Sequence, residues 1–270
     1  MISPMDRGFL FGDGVYEVIP AIHGRWIGFE RHIQRLENNL AAISIQLDYS
    51  VTRWREICSE LLKGYENQPV AVYLHVSRGT DQKRTHHFPG EHVKPTVFAF
   101  AYATGESLPA DRAVVSGVKA VSQMDVRWKH CHIKSTSLLG NVLHFQHGYA
   151  AGGYETILYN EQENLTEASS SNVFIVQNGV ISTPPLDHQV LPGITRQLLI
   201  DILGKESGVE VRQRVISLAE VRQADEIWLT SSSKEICPVV ELDGHPVGKG
   251  KVGRVWQQAK ELFDQNKFEY

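Results

Sequence analysis

Apolar residues alternate near the start of the chain and then recur at helical spacing. Val15 to Ile22 reads as a strand, His23-Gly24-Arg25 as a turn, and Trp26 to Phe29 as a returning strand. Ile33, Leu36, Leu40 and Ile43 recur at spacings of three and four, the period of an amphipathic helix. Val51, Trp54, Ile57 and Leu61 repeat that stripe in a second helix, and strands are expected near Val70–Arg78 and Thr96–Ala103. Gly105 to Asp111, with Pro109, is polar and rich in breakers. The pattern thus predicts a small domain over residues 1–104, a linker over 105–111, and a larger domain over 112–270.

In the second part, Ala113–Val121 reads as a strand and Ser135–Ala150 as a helix. Short strands follow at Thr156–Tyr159, Asn172–Val176 and Val180–Ser182. Ile194 to Leu203 carries a helical stripe that opens after Pro192-Gly193, with strands expected near Val209–Val215 and Asp225–Leu229. Asp243-Gly244 between Val239–Leu242 and Pro246–Val247 is a hairpin signal, and Val255 to Phe263 reads as a closing helix. Strands and helices mix without strict βαβ alternation, which predicts an α+β fold.

Composition changes the picture only by exclusion. The 270 residues are 42% hydrophobic and 21% charged, a globular mix that excludes disordered, collagen-like and coiled-coil chains. The formal net charge of −4 provides no basic field for nucleic acid. The longest apolar run, Val97 to Ala103, is far short of the ~20 residues of a membrane helix. The start, MISPMDRGF, lacks the apolar stretch of a signal peptide. Three scattered cysteines, Cys58, Cys131 and Cys237, fit a reducing cytoplasm better than a disulfide scaffold.

Several segments could carry chemistry. Lys134 stands between a polar run and an expected helix start. A lone lysine is ordinarily a solvated charge; the alternative is a desolvated amine that forms a Schiff base, and spacing does not choose between them. Thr166-Glu167-Ala168-Ser169-Ser170-Ser171-Asn172 reads either as a polar turn or as a carboxylate with hydroxyls set around a nitrogen-containing, anionic cofactor. Gly193-Ile194-Thr195 opens a helix whose free N–H groups suit an anion, as many helix starts do. Thr230-Ser231-Ser232-Ser233 adds hydroxyls or is an ordinary loop. Arg35 reads as a snorkelling surface residue, and Arg84-Thr85-His86 as a solvated loop or a fork for a carboxylate. The twelve histidines include no HxxxH, the cysteines form no paired CxxC, and His86-His87 is a lone adjacent pair, so no metal site is expected.

Taken in order, Asp6-Arg7-Gly8, Phe11-Gly12-Asp13-Gly14-Val15-Tyr16-Glu17, His32-Ile33-Gln34-Arg35-Leu36, Ile133-Lys134-Ser135, Leu165-Thr166-Glu167 with Ser169-Ser170-Ser171-Asn172-Val173-Phe174, Leu191-Pro192-Gly193-Ile194-Thr195-Arg196 and Thr230-Ser231-Ser232 form one set. The set resembles the class IV aminotransferases, the fold-type IV enzymes that use pyridoxal 5'-phosphate. The match runs from Ser3 to about Gly250, and seven ordered motifs are specific where each alone is weak. Tyr16 and the Arg84-x-His86 pair before Phe88-Pro89 resemble the D-amino-acid-specific subgroup.

The resemblance implies a small N-terminal α/β domain and a larger C-terminal pseudo-barrel domain, with the cofactor in the cleft between them. It implies Lys134 as the Schiff-base lysine and Glu167 as the contact to the pyridine nitrogen. Arg35, Ile194, Thr195, Ser231 and Ser232 would hold the phosphate, and Leu191 would pack on the ring. Tyr16, Arg84 and His86 would hold the substrate carboxylate. The implied reaction is transamination from a D-amino acid such as D-alanine to 2-oxoglutarate, in a cytoplasmic homodimer whose subunits share active sites. The alternatives of the same fold are 4-amino-4-deoxychorismate lyase, branched-chain or amine transaminases and, from another class, a non-catalytic relative. Two departures stand out. Only two residues precede Ser3, where the family carries a strand pair, so the first strands are expected to be trimmed or to start upstream. The loop before Arg84, Asp81-Gln82-Lys83, reads one residue longer than the family pattern.

Overall fold

The computed structural model describes residues 1–207 and 209–270. They form two compact units: Met1–Gly105 with Ile133–Leu138, and Glu106–His132 with Leu139–Tyr270. The second crossing places six residues around Lys134 in the first unit.

The first unit contains α1 (Arg7–Phe11), β1 (Gly14–Ile22), β2 (Arg25–Trp26), α2 (Phe29–Ala42), α3 (Val51–Leu61), β3 (Pro69–Ser77) and β4 (Thr96–Ala103). The strands form an antiparallel sheet in the order β2-β1-β3-β4. Period-two alternation puts Val15, Ile19 and Ala21 on one face with Val72, Leu74 and Val76. Ile33, Leu36, Leu40, Trp54 and Cys58 from the two longer helices pack on that face. Each such side chain fully buried contributes roughly 1.5–3 kcal/mol. The same alternation carries Glu17 onto the apolar face and Tyr16 onto the other. The expected returning strand over Trp26–Phe29 is only Arg25–Trp26, because Gly28 caps α2 and Phe29 begins it, buried in the core.

The second unit contains β5 (Val118–Met124), α4 (Leu139–Ala150), β6 (Glu155–Tyr159), β7 (Leu165–Ala168), β8 (Asn172–Gln177) and β9 (Val180–Thr183). There follow α5 (Ile194–Ile202) running into a π-turn (Leu203–Ser207), β10 (Arg212–Gln213), α6 (Leu218–Arg222), β11 (Glu226–Ser231), β12 (Glu235–Leu242), β13 (His245–Pro246) and α7 (Arg254–Asn266). The strands make one mixed sheet, order β10-β9-β8-β11-β12-β5-β6-β7 with β13 on β12, curled as a half-barrel. Ile157, Val173, Ile175, Ile227 and Leu229 build its core. The mixed α+β class is thus as expected, and β12, Asp243-Gly244 and β13 form the expected hairpin.

Four further segments differ from expectation. The strand expected from Ala113 begins at Val118, because Asp111 turns the chain: its carboxylate accepts from Ala113 N–H at 2.9 Å and its carbonyl from Val115 N–H at 3.2 Å. The helix expected from Ser135 begins at Leu139. The strand expected over Val209–Val215 shrinks to Arg212–Gln213. The stretch that opens with Thr166-Glu167 is buried strand β7 rather than polar turn, and only the serines after it turn.

Candidate active site

Lys134 is held by main-chain pairing to β1. Ile133 packs against the first unit's core, and Tyr16 N–H donates to the Lys134 carbonyl at 3.0 Å. Val15 and Ser135 form a bridge, and Thr136 N–H donates to the Gly14 carbonyl at 3.0 Å. The Thr136 hydroxyl donates to the Gly12 carbonyl at 3.0 Å. Residues that could have started α4 early therefore spend their hydrogen bonds on β1, which is why the helix begins late. Gly12 adopts φ 65° at the end of α1, and a Cβ there would lie 2.3 Å from Ser137 Oγ, so only glycine fits this approach. The Lys134 side chain is half-buried, with Nζ 4.2 Å from the centroid of the Tyr16 ring. The structure thus brings Lys134 and Tyr16 together.

Arg35 is not the snorkelling surface residue that its local pattern suggested. It is 7% exposed, and the Glu17 carboxylate accepts from its Nε at 2.7 Å and its Nη2 at 2.8 Å. His32 Nδ1 lies 2.7 Å from Glu17 Oε2. Burial alone would raise the Glu17 carboxyl, but the charge and hydrogen bonds of Arg35, with His32, overcome it and hold it at about 2. Burial pushes His32 down, Glu17 opposing in part, which favours a neutral imidazole donating from Nδ1. Sequence reasoning missed Glu17 and His32. Their signal was present: His32 and Arg35 are three apart on one helix, and Glu17 is the lone acid on an apolar strand face.

In the second unit, β7 positions Glu167, which is 5% exposed. Its Oε1 accepts from Arg127 Nη1 at 2.7 Å. Its Oε2 accepts from Leu191 N–H at 2.9 Å and from Asn172 Nδ2 at 3.3 Å. Burial pushes the Glu167 carboxyl up, and Arg127 resists that rise. Arg127 is itself gripped by Asp125, through Nε at 3.0 Å and Nη2 at 2.7 Å. Asp125 and Arg127 were also missed; nothing in their short run marks them apart from a surface turn. A carboxylate offers about four lone-pair positions. Three of those of Glu167 are occupied, which leaves room for one further donor such as a protonated ring nitrogen.

Gly193 is the N-cap of α5 and supplies no side-chain hydrogen bond to the helix. A Cβ there would lie 1.9 Å from Asn172 Oδ1. Ile194 and Thr195 form the buried first turn, with its free N–H groups and dipole suited to an anion. Helix α5 packs against β11, which ends at Ser231; Ser232 follows. Thr230 Oγ1 is a buried hydroxyl with no hydrogen-bond partner among the described residues. Lys234 Nζ contacts Glu155 Oε2 at 2.6 Å and the hydroxyls of Ser170 and Ser171 at 3.2 Å, tying the two serine turns together. A spare hydroxyl, an uncapped helix start and a carboxylate with one open position fit a phosphorylated pyridine cofactor. Among the described residues no group of three or more His, Cys, Asp and Glu could hold a metal ion, and no helix is long and apolar enough to cross a membrane.

Arg84 and His86 lie exposed on the loop between β3 and β4. The Arg84 guanidinium sits 4.8 Å from the Phe11 ring centroid, and the His86 ring 5.4 Å from the same ring. These contacts are with α1, and none joins the pair to Tyr16. The chain brings together Lys134 with Tyr16, and Glu167 with Leu191, and places the Arg84–His86 pair beside Phe11 of α1.

The family profile described as Amino-transferase class IV matches residues 14–242. A D-alanine aminotransferase of Listeria monocytogenes is 37% identical over 258 residues, 96% of this chain and 88% of that protein. One from Staphylococcus haemolyticus is 36% identical over 263 residues, 97% of this chain and 91% of that protein. Among solved structures, the branched-chain amino acid aminotransferase from Escherichia coli superposes with a TM-score of 0.86 at 23% identity, over 98% of this chain and 88% of that one. A hypothetical aminotransferase from Mycobacterium tuberculosis, in its PLP-bound form, gives 0.83 at 22%, over 99% and 93%. The structural likenesses are likenesses of fold; family membership rests on the profile and the sequence relatives. The chain belongs to the class IV aminotransferases, enzymes that depend on pyridoxal phosphate.

Proposed function

We propose that this enzyme transfers the amino group of a D-amino acid, D-alanine foremost, to a 2-oxo acid, with 2-oxoglutarate as acceptor. The observation that carries the reading is the near full-length similarity to D-alanine aminotransferases, in a chain that also has Tyr16 beside Lys134. Bound pyridoxal phosphate supplies an electron sink for the bond broken at the amino acid's Cα. Lys134 Nζ would hold the cofactor covalently and would then be the base that takes the proton from the substrate's Cα. Glu167 would hold the proton at the pyridine nitrogen, and the Arg127 charge opposes the rise that burial imposes on the Glu167 carboxyl. Arg35, Ile194, Thr195, Ser231 and Ser232 would bind the phosphate, and Leu191 would pack on the ring. Tyr16, Arg84 and His86 hold the substrate carboxylate. Glu17 serves Arg35 by fixing its guanidinium, which otherwise has several rotamers to choose from.

The Arg84 and His86 side chains rest on Phe11 of α1 rather than on Tyr16, which favours a homodimer in which this loop serves the partner subunit's site. The cytoplasm is its proposed location, since Cys58, Cys131 and Cys237 are free and buried, with thiols that burial pushes up to about 12, about 12 and about 11.

The test is purified enzyme with a panel of D- and L-amino acids and 2-oxoglutarate, with oxo-acid formation followed. Pyruvate from D-alanine and none from L-alanine is the expected result. Turnover of L-leucine or L-valine in preference to any D-amino acid would overturn the D-specific reading, and release of pyruvate from 4-amino-4-deoxychorismate would favour the lyase.

A further inference from the structure

Arg7 is buried, 4% exposed, on the short helix α1. Its Nε donates to Asp13 Oδ2 at 2.8 Å. Its Nη1 donates to the Thr85 carbonyl at 2.7 Å and its Nη2, more loosely, to the His86 carbonyl at 3.4 Å. The guanidinium carbon lies 4.8 Å from the Phe11 ring centroid, and Arg84 and His86 approach the same ring. Asp13 is in turn held by Arg78, through Nε at 2.8 Å and Nη2 at 2.9 Å. Arg78 covers the Phe88 ring at 3.6 Å. The segment 84–88 has no helix or strand of its own. It is nonetheless tied at two points, to Arg7 through main-chain carbonyls and to Arg78 through Phe88. Thr85 is half-buried, with its side-chain oxygen enclosed, while Arg84 and His86 on either side of it are exposed.

We propose that Arg7, fixed by Asp13, is a positioning residue for substrate binding: its guanidinium holds the main chain at Thr85 and His86, so that Arg84 and His86 present a preformed trap for the substrate carboxylate. The proposal rests on the reading of Arg84 and His86 as carboxylate ligands. A loop without secondary structure loses conformational freedom when it must order around a ligand, and that cost weakens binding. Two carbonyls gripped by one charged, forked donor remove much of that freedom before substrate arrives. Lysine at this position keeps a charge for Asp13 but cannot fork to two carbonyls as well. This role gives the Asp-Arg-Gly and Gly-Asp-Gly motifs a joint purpose, since each supplies one half of the Arg7–Asp13 pair.

The experiment compares holoenzymes of the parent, Arg7→Lys, Arg7→Met, Arg84→Ala and the Arg7→Lys/Arg84→Ala double variant. Two readouts are taken: KM for D-alanine and for 2-oxoglutarate, and the rate at which phenylhydrazine, which has no carboxylate, captures the bound cofactor. Arg7→Lys is expected to raise both KM values about tenfold, the effect of about 1.4 kcal/mol, while phenylhydrazine capture stays within about twofold. Because Arg7 acts through Arg84 and His86, the losses in the double variant are expected to be clearly less than the sum of the two single losses. If Arg7→Met fails to fold, Arg7→Lys decides. Parent-like KM values in Arg7→Lys, with Arg84→Ala impaired, overturn the positioning role alone. Additive losses in the double variant, or slowed phenylhydrazine capture in Arg7→Lys, also overturn it, since they mean general damage. Parent-like KM values in Arg84→Ala overturn the carboxylate reading and this role together.

Discussion

Arg127 donates to Glu167 at 2.7 Å and turns the rest of its guanidinium on Asp125. The pair sets the charge of the carboxylate proposed to face the pyridine nitrogen. Burial pushes Glu167 toward the neutral acid, and a neutral acid cannot hold a pyridinium proton. Glu167→Gln is therefore expected to keep the cofactor while turnover falls by about 10²–10⁴-fold. An unchanged rate would place some other group at the ring nitrogen. Arg127→Leu removes the opposing charge, so the Glu167 carboxyl rises further. A raised carboxyl ionises only as pH increases, so residual activity of Arg127→Leu is expected to climb with pH more steeply than that of the parent. A kcat profile parallel to the parent's would count against this role.

The sequence made the large periodic elements legible, and physical causes account for what it hid. Helices α2, α3, α5 and α7 each carry an apolar stripe, and hydrophobic periodicity does not depend on distant partners. Strand β7 was concealed because Leu165-Thr166-Glu167-Ala168 alternates nothing; it is buried on both sides and satisfied by Arg127 and Leu191, which are far away in sequence. The start of α4 was concealed because Thr136 and Ser137 bond to Gly12 and Gly14 rather than to the helix. Helix α6 could have been found, since Ser217 and Glu220 have the spacing of a capping box. Among the proposed site residues, Lys134, Glu167 and Tyr16 stand in motifs that the sequence displays. Asp125, Arg127 and Arg7 were not given roles, because each acts by supporting another residue, and support is visible only in three dimensions.

Glu17 links the site to acid stability. Its folded carboxyl lies at about 2 against an ordinary 4.5. A depressed carboxyl contributes stability that is present above pH 4.5 and is lost as pH falls from there toward 2. The difference corresponds to about 3 kcal/mol. Glu17→Gln also leaves Arg35 buried without its carboxylate, which costs roughly 3–5 kcal/mol. Urea melts are expected to show the parent more stable by that amount near neutral pH, with the gap closing as pH drops through the window. A gap that stays constant with pH would mean that Glu17 does not titrate there.

Gly193 tests the tie between the helix start proposed to hold the phosphate and the surroundings of Glu167. An added Cβ meets Asn172 Oδ1 at 1.9 Å, and Asn172 is the residue that donates to the Leu191 carbonyl at 2.9 Å. Gly193→Ala must therefore push Asn172 away, and Leu191 and Glu167 lose a shared partner. Overpacking of this kind costs about 1–3 kcal/mol. Expressed in cofactor affinity, that is roughly 5–150-fold weaker retention of pyridoxal phosphate, measured by dialysis and reconstitution. Gly193→Ala holding its cofactor like the parent would show that the helix start does not carry the phosphate.

Lys134 and Arg84 together decide where the carboxylate trap works. Lys134→Ala is expected to abolish turnover and the visible chromophore that borohydride fixes, because no other amine takes its place. Arg84→Ala is expected to weaken D-alanine and 2-oxoglutarate alike by about 10–150-fold, since both present the same carboxylate and a charge-assisted fork contributes roughly 1.5–3 kcal/mol. If Arg84 serves the partner subunit, a heterodimer of one Lys134→Ala chain and one Arg84→Ala chain gathers both defects in a single site. The other site then has its own Lys134 and receives an intact Arg84 across the symmetric interface. Each such heterodimer should show about half the activity of a parent dimer, although Lys134→Ala alone is inactive and Arg84→Ala alone is impaired. If Arg84 serves its own subunit, each site of the heterodimer keeps one defect and mixing restores nothing. Subunit exchange followed by affinity selection of the doubly tagged heterodimer makes the two cases distinguishable by one rate measurement. An Arg84→Ala chain as active as the parent would remove the carboxylate trap, and with it the residue-level case for D-amino acids.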